Sequence, residues 1–207
     1  MATAANWLRQ RYALLKWVSS GRPVPIPHLR KRRILLRHAH RFGLTTLVET
    51  GTFQGDMVAG TRRHFSRIIT IELENSLFGL ARARFGPYPH IEVLHGDSGT
   101  ILQRVLEEID APALYWLDAH YSGGVTARGS IDSPVVAELQ TILDGGTPSD
   151  VVLIDDARLF GDTSTGYSGY PSLGEVQEVV DSHRPTWVFE VQEDIIRLHP
   201  REEGAGG

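Results

Sequence analysis

The chain has no cysteine among its 207 residues. That excludes disulfides, a thiolate nucleophile and any Cys-ligated zinc or iron–sulfur site, so a metal would have to be held by oxygen and imidazole ligands. Lysine is nearly absent as well. Lys16 and Lys31 are the only two, and every other strong cation is an arginine. No apolar run reaches the ~18 residues of a transmembrane helix, and no apolar signal-peptide core is seen near the start. A soluble, cytoplasmic protein is the expectation. There is no internal repeat. Acids are missing from the first 48 residues, where Arg9, Arg11, Lys16, Arg22, Arg30, Lys31, Arg32, Arg33, Arg37 and Arg41 stand without a single Asp or Glu. The formal net charge of -4 therefore hides a basic segment, residues 1–43, in front of an acidic body. Such asymmetry suits docking on the body itself or a homodimer contact. RNA or an anionic membrane is the other class of partner it would suit.

What is present is a regular alternation. Residues 6–18 carry apolar side chains at helical spacing behind a possible Asn6 cap. The Pro-rich stretch 19–27 cannot continue that helix, and a second basic helix is expected over 28–41, closed by Gly43. Strands are expected at 46–49, 68–73, 91–95, 113–118 and 151–155. Helices are expected at 56–65, 76–85, 99–109, 133–143 and 173–182. Short apolar strands separated by helices imply a doubly wound α/β sheet, parallel and covered on both faces. The strands 187–191 and 195–199 are too close in sequence for a parallel crossover, so they form an antiparallel hairpin. The result is a mostly parallel seven-stranded sheet with a C-terminal hairpin and N-terminal helices. The body spans 44–200, and 201–207 is expected to be a disordered tail.

The first strand runs into LVETGTFQG, residues 47–55. Here an acid ends the strand and the chain turns through glycines into a helix, the layout of a nucleotide-cofactor pocket. Glu49, Gly51, Thr52, Phe53 and Gly55 are the candidate residues of that turn. The other strand ends are acidic too: Glu72 in ITIELE, Asp97 in VLHGDS, Asp118 in ALYWLDAH, Asp155 and Asp156 in VVLIDDAR. Ligands of open α/β sheets bind at this rim. Glu72 suits a ribose diol, and Asp97 with Ser98 suits the adenine or the ribose edge. Asp118, Asp155 and Asp156 come from neighbouring strands and cannot all stay ionised without a counter-charge. A hard divalent cation such as Mg²⁺ would supply it. The other reading is that one Asp caps the following loop while Arg158 neutralises the pair.

This order of motifs resembles the class I S-adenosylmethionine-dependent methyltransferases, whose sheet also ends in a hairpin. Phe53 stands where many members have the middle of three alternating glycines. In that, and in the Asp118 and Asp155-Asp156 positions, the chain looks like the metal-dependent O-methyltransferases of the catechol, caffeoyl-CoA and macrolide-sugar types. The resemblance covers about residues 45–199 and leaves out the basic segment. It implies a Rossmann-like fold, S-adenosylmethionine bound with the help of Asp118, a metal on the three aspartates, and a small hydroxylated acceptor such as a sugar, phenol or natural product. It also implies a lysine base three residues past the first metal aspartate, where this chain has Tyr121. His120 is the candidate substitute as catalytic base beside Asp118; a metal-ligand or structural role suits it equally. A lysine base would require the basic segment to fold over the pocket. The glycine-rich stretch 121–133 and the Tyr167/Tyr170 stretch 158–171 are candidate lid and substrate wall. Two other classes stay open: an NAD dehydrogenase-like enzyme on the same architecture, and a non-catalytic RNA- or membrane-binding module led by the basic segment.

Overall fold

The computed structural model describes residues 4–118, 134–161 and 170–202, with side chains from Leu8 onward. Five parallel strands, β1 (Thr46–Thr50), β2 (Arg67–Glu72), β3 (Ile91–His95), β4 (Ala113–Leu117) and β5 (Val151–Ile154), are completed by β6 (Trp187–Gln192) and β7 (Ile195–Pro200). The seven-stranded sheet has the order β3-β2-β1-β4-β5-β7-β6, with β7 antiparallel to both β5 and β6. The hairpin closes through Glu193 and Asp194, both at positive φ (53° and 62°), the backbone that a two-residue loop between twisted strands demands.

Alternate residues of each strand feed two cores, because successive side chains point to opposite faces. Val48, Ile69, Tyr115, Leu117 and Val152 pack beneath α5 (Ser98–Glu107), α6 (Val135–Gly145) and α7 (Leu173–His183). Leu47, Ile68, Leu114, Trp116 and Leu153 pack on the other face with α2 (His28–Arg41), α3 (Asp56–Thr61) and α4 (Asn75–Phe85). The doubly wound parallel sheet read from the sequence is the one observed. Among the described residues no helix is long and apolar enough to cross a membrane.

Local differences have local causes. The first helix, α1, spans Ala4–Ser19, so Asn6 lies inside its first turns rather than capping it. The helix expected over 56–65 stops at Thr61, and the chain turns through 62–65 so that Ser66 N–H reaches Thr45 carbonyl at 2.9 Å and β2 can begin. The basic segment does not behave as one piece. Ile26, Ile34, Leu35 and Ala39 are buried in the same core as the sheet, whereas Leu8, Tyr12, Leu15 and Val18 of α1 are exposed.

Candidate active site

The turn after β1 is held from below. Gly51, Phe53 and Gly55 all lie at positive φ (83°, 48° and 71°), so the alternating conformation that three glycines would adopt is kept with a phenylalanine in the middle. A Cβ resists that conformation by about 1–2 kcal/mol. Glu72 stabilises it: Oε2 accepts the Phe53 N–H at 2.7 Å while Oε1 accepts the Glu74 N–H at 2.9 Å. The Phe53 side chain is 45% exposed, an aromatic surface standing on the rim. Gly55 has a packing reason for being glycine, since a Cβ there would lie 2.6 Å from the Phe85 ring.

Glu49 is sealed under this turn. It accepts from the Thr70 hydroxyl at 2.6 Å, and Thr70 lies 2.6 Å from the Thr52 hydroxyl, so three side chains form a hydrogen-bonded row. Burial pushes the Glu49 carboxyl up to about 8, with Thr70 opposing and the charges of Asp118 and Glu72 adding to it. From there it holds the Thr70 and Thr52 side chains beneath the turn. Asp97 accepts the Gly99 N–H at 2.9 Å and caps α5, which puts the buried Ser98 at the first turn of that helix.

Strand pairing brings the remaining acids together. β4 and β5 are neighbours, and Asp118 and Asp155 each follow the last paired residue of their strand. Asp118 N–H still reaches Thr50 carbonyl at 3.1 Å, and Asp155 N–H reaches Leu117 carbonyl at 3.0 Å. Asp118, Asp155 and Asp156 offer oxygens that all lie within 4.8 Å of one another, a spacing a single cation could bridge. Burial pushes Asp118 up to about 7, Lys31 pulling it back and Asp156 pushing further. Asp155 is raised by burial and by the Asp118 charge, with Lys31 opposing.

Two cations already face this cluster. Arg158 donates to Asp156 at 2.7 Å and also to Asp194, so it neutralises one member of the pair, while Asp156 makes no side-chain cap to the turn that follows. The second cation comes from the N-terminal segment. Lys31 Nζ donates to Asp155 Oδ2 and stands 3.3 Å from Asp156 Oδ1. The helix that carries it is fixed at the same rim, since Arg30 donates through two nitrogens to the Glu193 carboxylate, each bond 2.6 Å.

Three participants escaped the sequence reading as site residues. Lys31 was considered only if the segment folded over the pocket, which α2 does. Its signal was register: it lies three, four and seven positions before the buried Ile34, Leu35 and His38, on the apolar face of α2. Glu138 gives the same signal in α6, falling between Val135 and Ile142 on the buried face. It is 1% exposed, and burial pushes it up to about 7 against the pull of the Ser98 and Thr50 hydroxyls. Among the described residues Glu138 Oε1 has no hydrogen-bond partner. Asp194 needed the hairpin to be folded before it could meet Arg158. His120, the stretch 121–133 and Tyr167 lie outside the described residues. Tyr170 packs its ring edge-on against Phe160 at 5.1 Å.

No family model and no curated protein matches the sequence. Solved structures do match the fold. An O-methyltransferase from Bacillus cereus, in complex with S-adenosylhomocysteine, superposes with a TM-score of 0.60 over 92% of this chain and 90% of that one, at 17% identity. The chain has the fold of the class I methyltransferases. The S-adenosylhomocysteine-bound methyltransferase PaMTH1 of Podospora anserina gives a TM-score of 0.56 over 92% of this chain and 88% of its own, at 16% identity. TomG from Streptomyces achromogenes, an O-methyltransferase of tomaymycin synthesis in complex with S-adenosylmethionine, gives 0.55 over 93% and 89%, at 18% identity. At these identities the likeness is one of architecture.

Proposed function

We propose that this chain is an S-adenosylmethionine-dependent methyltransferase acting on a hydroxyl of a small molecule. One observation carries the reading: the strained turn pinned by Glu72 and the carboxylates of Asp118 and Asp155 stand on one rim, at the ends of the adjacent strands β2, β1, β4 and β5. S-adenosylmethionine, when bound, supplies a methyl group already activated on a sulfonium. What is left to the protein is to align the acceptor and remove its proton.

The residues divide accordingly. Glu72 uses one lone pair of each oxygen on backbone N–H groups and keeps acceptor capacity for a ribose diol. Asp97 and Ser98, after the neighbouring β3, stand where an adenine edge would meet the sheet. Phe53 offers an apolar wall, while Thr52 and Glu49 hold the turn in shape. Gly51, at positive φ, keeps the backbone free of a side chain at its start. Asp118 and Asp155 would receive the acceptor's polar groups, and His120 is our candidate for taking the hydroxyl proton. A divalent cation does not fit this cluster as it stands, because the positive charges of Lys31 and Arg158 already face its carboxylates. No step is assigned to one.

Calorimetry with S-adenosylhomocysteine tests the reading. Wild type should bind, Gly51→Val should abolish binding, and Glu72→Ala should weaken it by about 1.5–3 kcal/mol, as for a lost hydrogen bond to a charged group. A folded wild type that binds NAD and ignores S-adenosylhomocysteine would replace the proposal with the dehydrogenase-like alternative.

A further inference from the structure

We propose that Lys31 is the resident cation of the acidic cluster, an ammonium seated where Asp118, Asp155 and Asp156 would otherwise hold a divalent metal ion. The first support is geometric. Lys31 Nζ reaches Asp155 and Asp156 together, and its side chain is only 14% exposed, against 1% and 9% for the two carboxylates. A cation so enclosed is part of the structure rather than a solvated surface charge.

The second support is the set of donors that these carboxylates already face. Asp155 Oδ1 accepts the Asp156 N–H at 2.8 Å, and Asp155 Oδ2 accepts from Lys31. Asp156 Oδ1 faces Arg158 at 2.7 Å and Lys31 at 3.3 Å. A metal ion would have to expel the ammonium and leave it buried beside a new positive charge. Separating a buried pair in this way leaves a charge uncompensated, which is strongly unfavourable.

The third support is delivery. The side chain is carried by a helix whose neighbouring positions are fixed independently: Leu29, Ile34 and Leu35 are buried, and Arg30 is clamped to Glu193. The backbone that carries Lys31 is thereby held at this rim. Residue type agrees as well. Six of the seven strong cations between Lys16 and Glu49 are arginines, and lysine appears at the one position among them where a compact charge with three donors meets clustered carboxylates. This arrangement stands whatever the reaction is. Its consequence for catalysis rests on the methyltransferase reading: an acceptor would be held by hydrogen bonds to the ammonium and to Asp118, and divalent metal would not be required.

The two-lysine composition makes a direct test possible on the full-length wild type. Reductive methylation of the native protein, read by peptide mass spectrometry, should modify the exposed Lys16 and spare Lys31, equally in EDTA and in millimolar Mg²⁺. Labelling of Lys31 as fast as Lys16, or its exposure on adding Mg²⁺, would overturn the proposal. Titration with Mn²⁺ gives a second readout. Wild type should show no saturable binding, while folded Lys31→Met should gain a saturable site and lose it when Asp155→Asn is added. Wild-type binding that Asp155→Asn abolishes, or a folded Lys31→Met that gains none, would also overturn it. Should Lys31→Met not fold, the labelling and wild-type titration decide alone. Neither measurement uses S-adenosylhomocysteine, so failure of the methyltransferase reading would be seen separately.

Discussion

The two N-terminal helices are alike in composition and opposite in fate. Both α1 and α2 are basic, lack acids and carry several large apolar residues. In α2 the apolar positions Leu29, Ile34, Leu35 and Ala39 form one stripe that is buried against the sheet, and the cations beside that stripe meet acids of the body. In α1 the side chains of Leu8, Tyr12 and Leu15 are 59%, 70% and 67% exposed, and among its described side chains Trp17 is the one partly buried contact with the sheet core. Composition therefore says little about whether a basic apolar helix belongs to a core. What decides is whether its charges fall where the body can answer them. For α2 the answers are Glu193, Asp155 and Asp156. For its C-terminal end, Arg41 and Glu202 add an exposed ion pair at 2.7 Å, worth little in water.

The comparison breaks most sharply at Leu35, which has no exposed surface. Leu35→Ala should lower the unfolding free energy by about 2–5 kcal/mol, the range for truncating a buried leucine. Urea denaturation followed by circular dichroism would measure it. A loss below about 1 kcal/mol would mean that α2 is a docked appendage and not core, and the delivery of Lys31 would lose its support.

A smaller effect separates two charges buried on apolar helix faces. Lys31 is matched by carboxylates: burial would push its ammonium down, but Asp155, Asp156 and Asp118 outweigh this and hold it raised. Glu138 meets hydroxyls and the like charge of Asp97, and burial raises it from 4.5 to about 7. A carboxyl raised in the folded state binds its proton more tightly there than in the unfolded chain. Its contribution to stability is present in full below about pH 4.5 and is lost as pH rises through about 7. Glu138→Gln removes that dependence. The variant should gain on wild type between pH 5 and 8 by a few kcal/mol at most, at ~1.4 kcal/mol per pH unit. Melting curves at several pH values would show the two proteins converging at low pH. Parallel curves would mean that Glu138 is not held neutral.

Much of this was legible in advance, and the reason is physical. Strands buried on both faces write continuous apolar runs into a sequence, so β1, β2, β4 and β5 were found within one or two residues, while the half-exposed edge strand β3 showed itself by alternation. The acids at their ends follow directly, and Asp118, Asp155 and Asp156 do converge. The Gly51–Gly55 turn was recognisable because its backbone constrains residue type, although Phe53 shows that Glu72 can hold a side chain in a glycine-like conformation. Lys31 and Asp194 were hidden for the opposite reason. Each meets its partner only after long-range packing, 124 residues away from Asp155 for Lys31 and 36 away from Arg158 for Asp194. Register still marked Lys31 and Glu138, as charged residues in phase with buried neighbours. That is the signal to seek when a charge run is otherwise dismissed as a solvated face.

The smallest expected effect completes the comparison from the α1 side. Leu15 has the same chemistry as Leu35 and sits in a helix of similar composition, but most of its side chain already faces water. Truncating it removes little contact and leaves no cavity, so Leu15→Ala should change the unfolding free energy by no more than about 0.5 kcal/mol. Sedimentation of the same variant sharpens the result. An unchanged mass beside an unchanged melting point would leave α1 as a solvated helix tethered through Trp17. A fall in mass with the monomer's stability intact would instead show that Leu15 is covered by a second copy in solution, and the contrast between the helices would then be between two kinds of partner: the chain's own sheet for α2, a twin for α1.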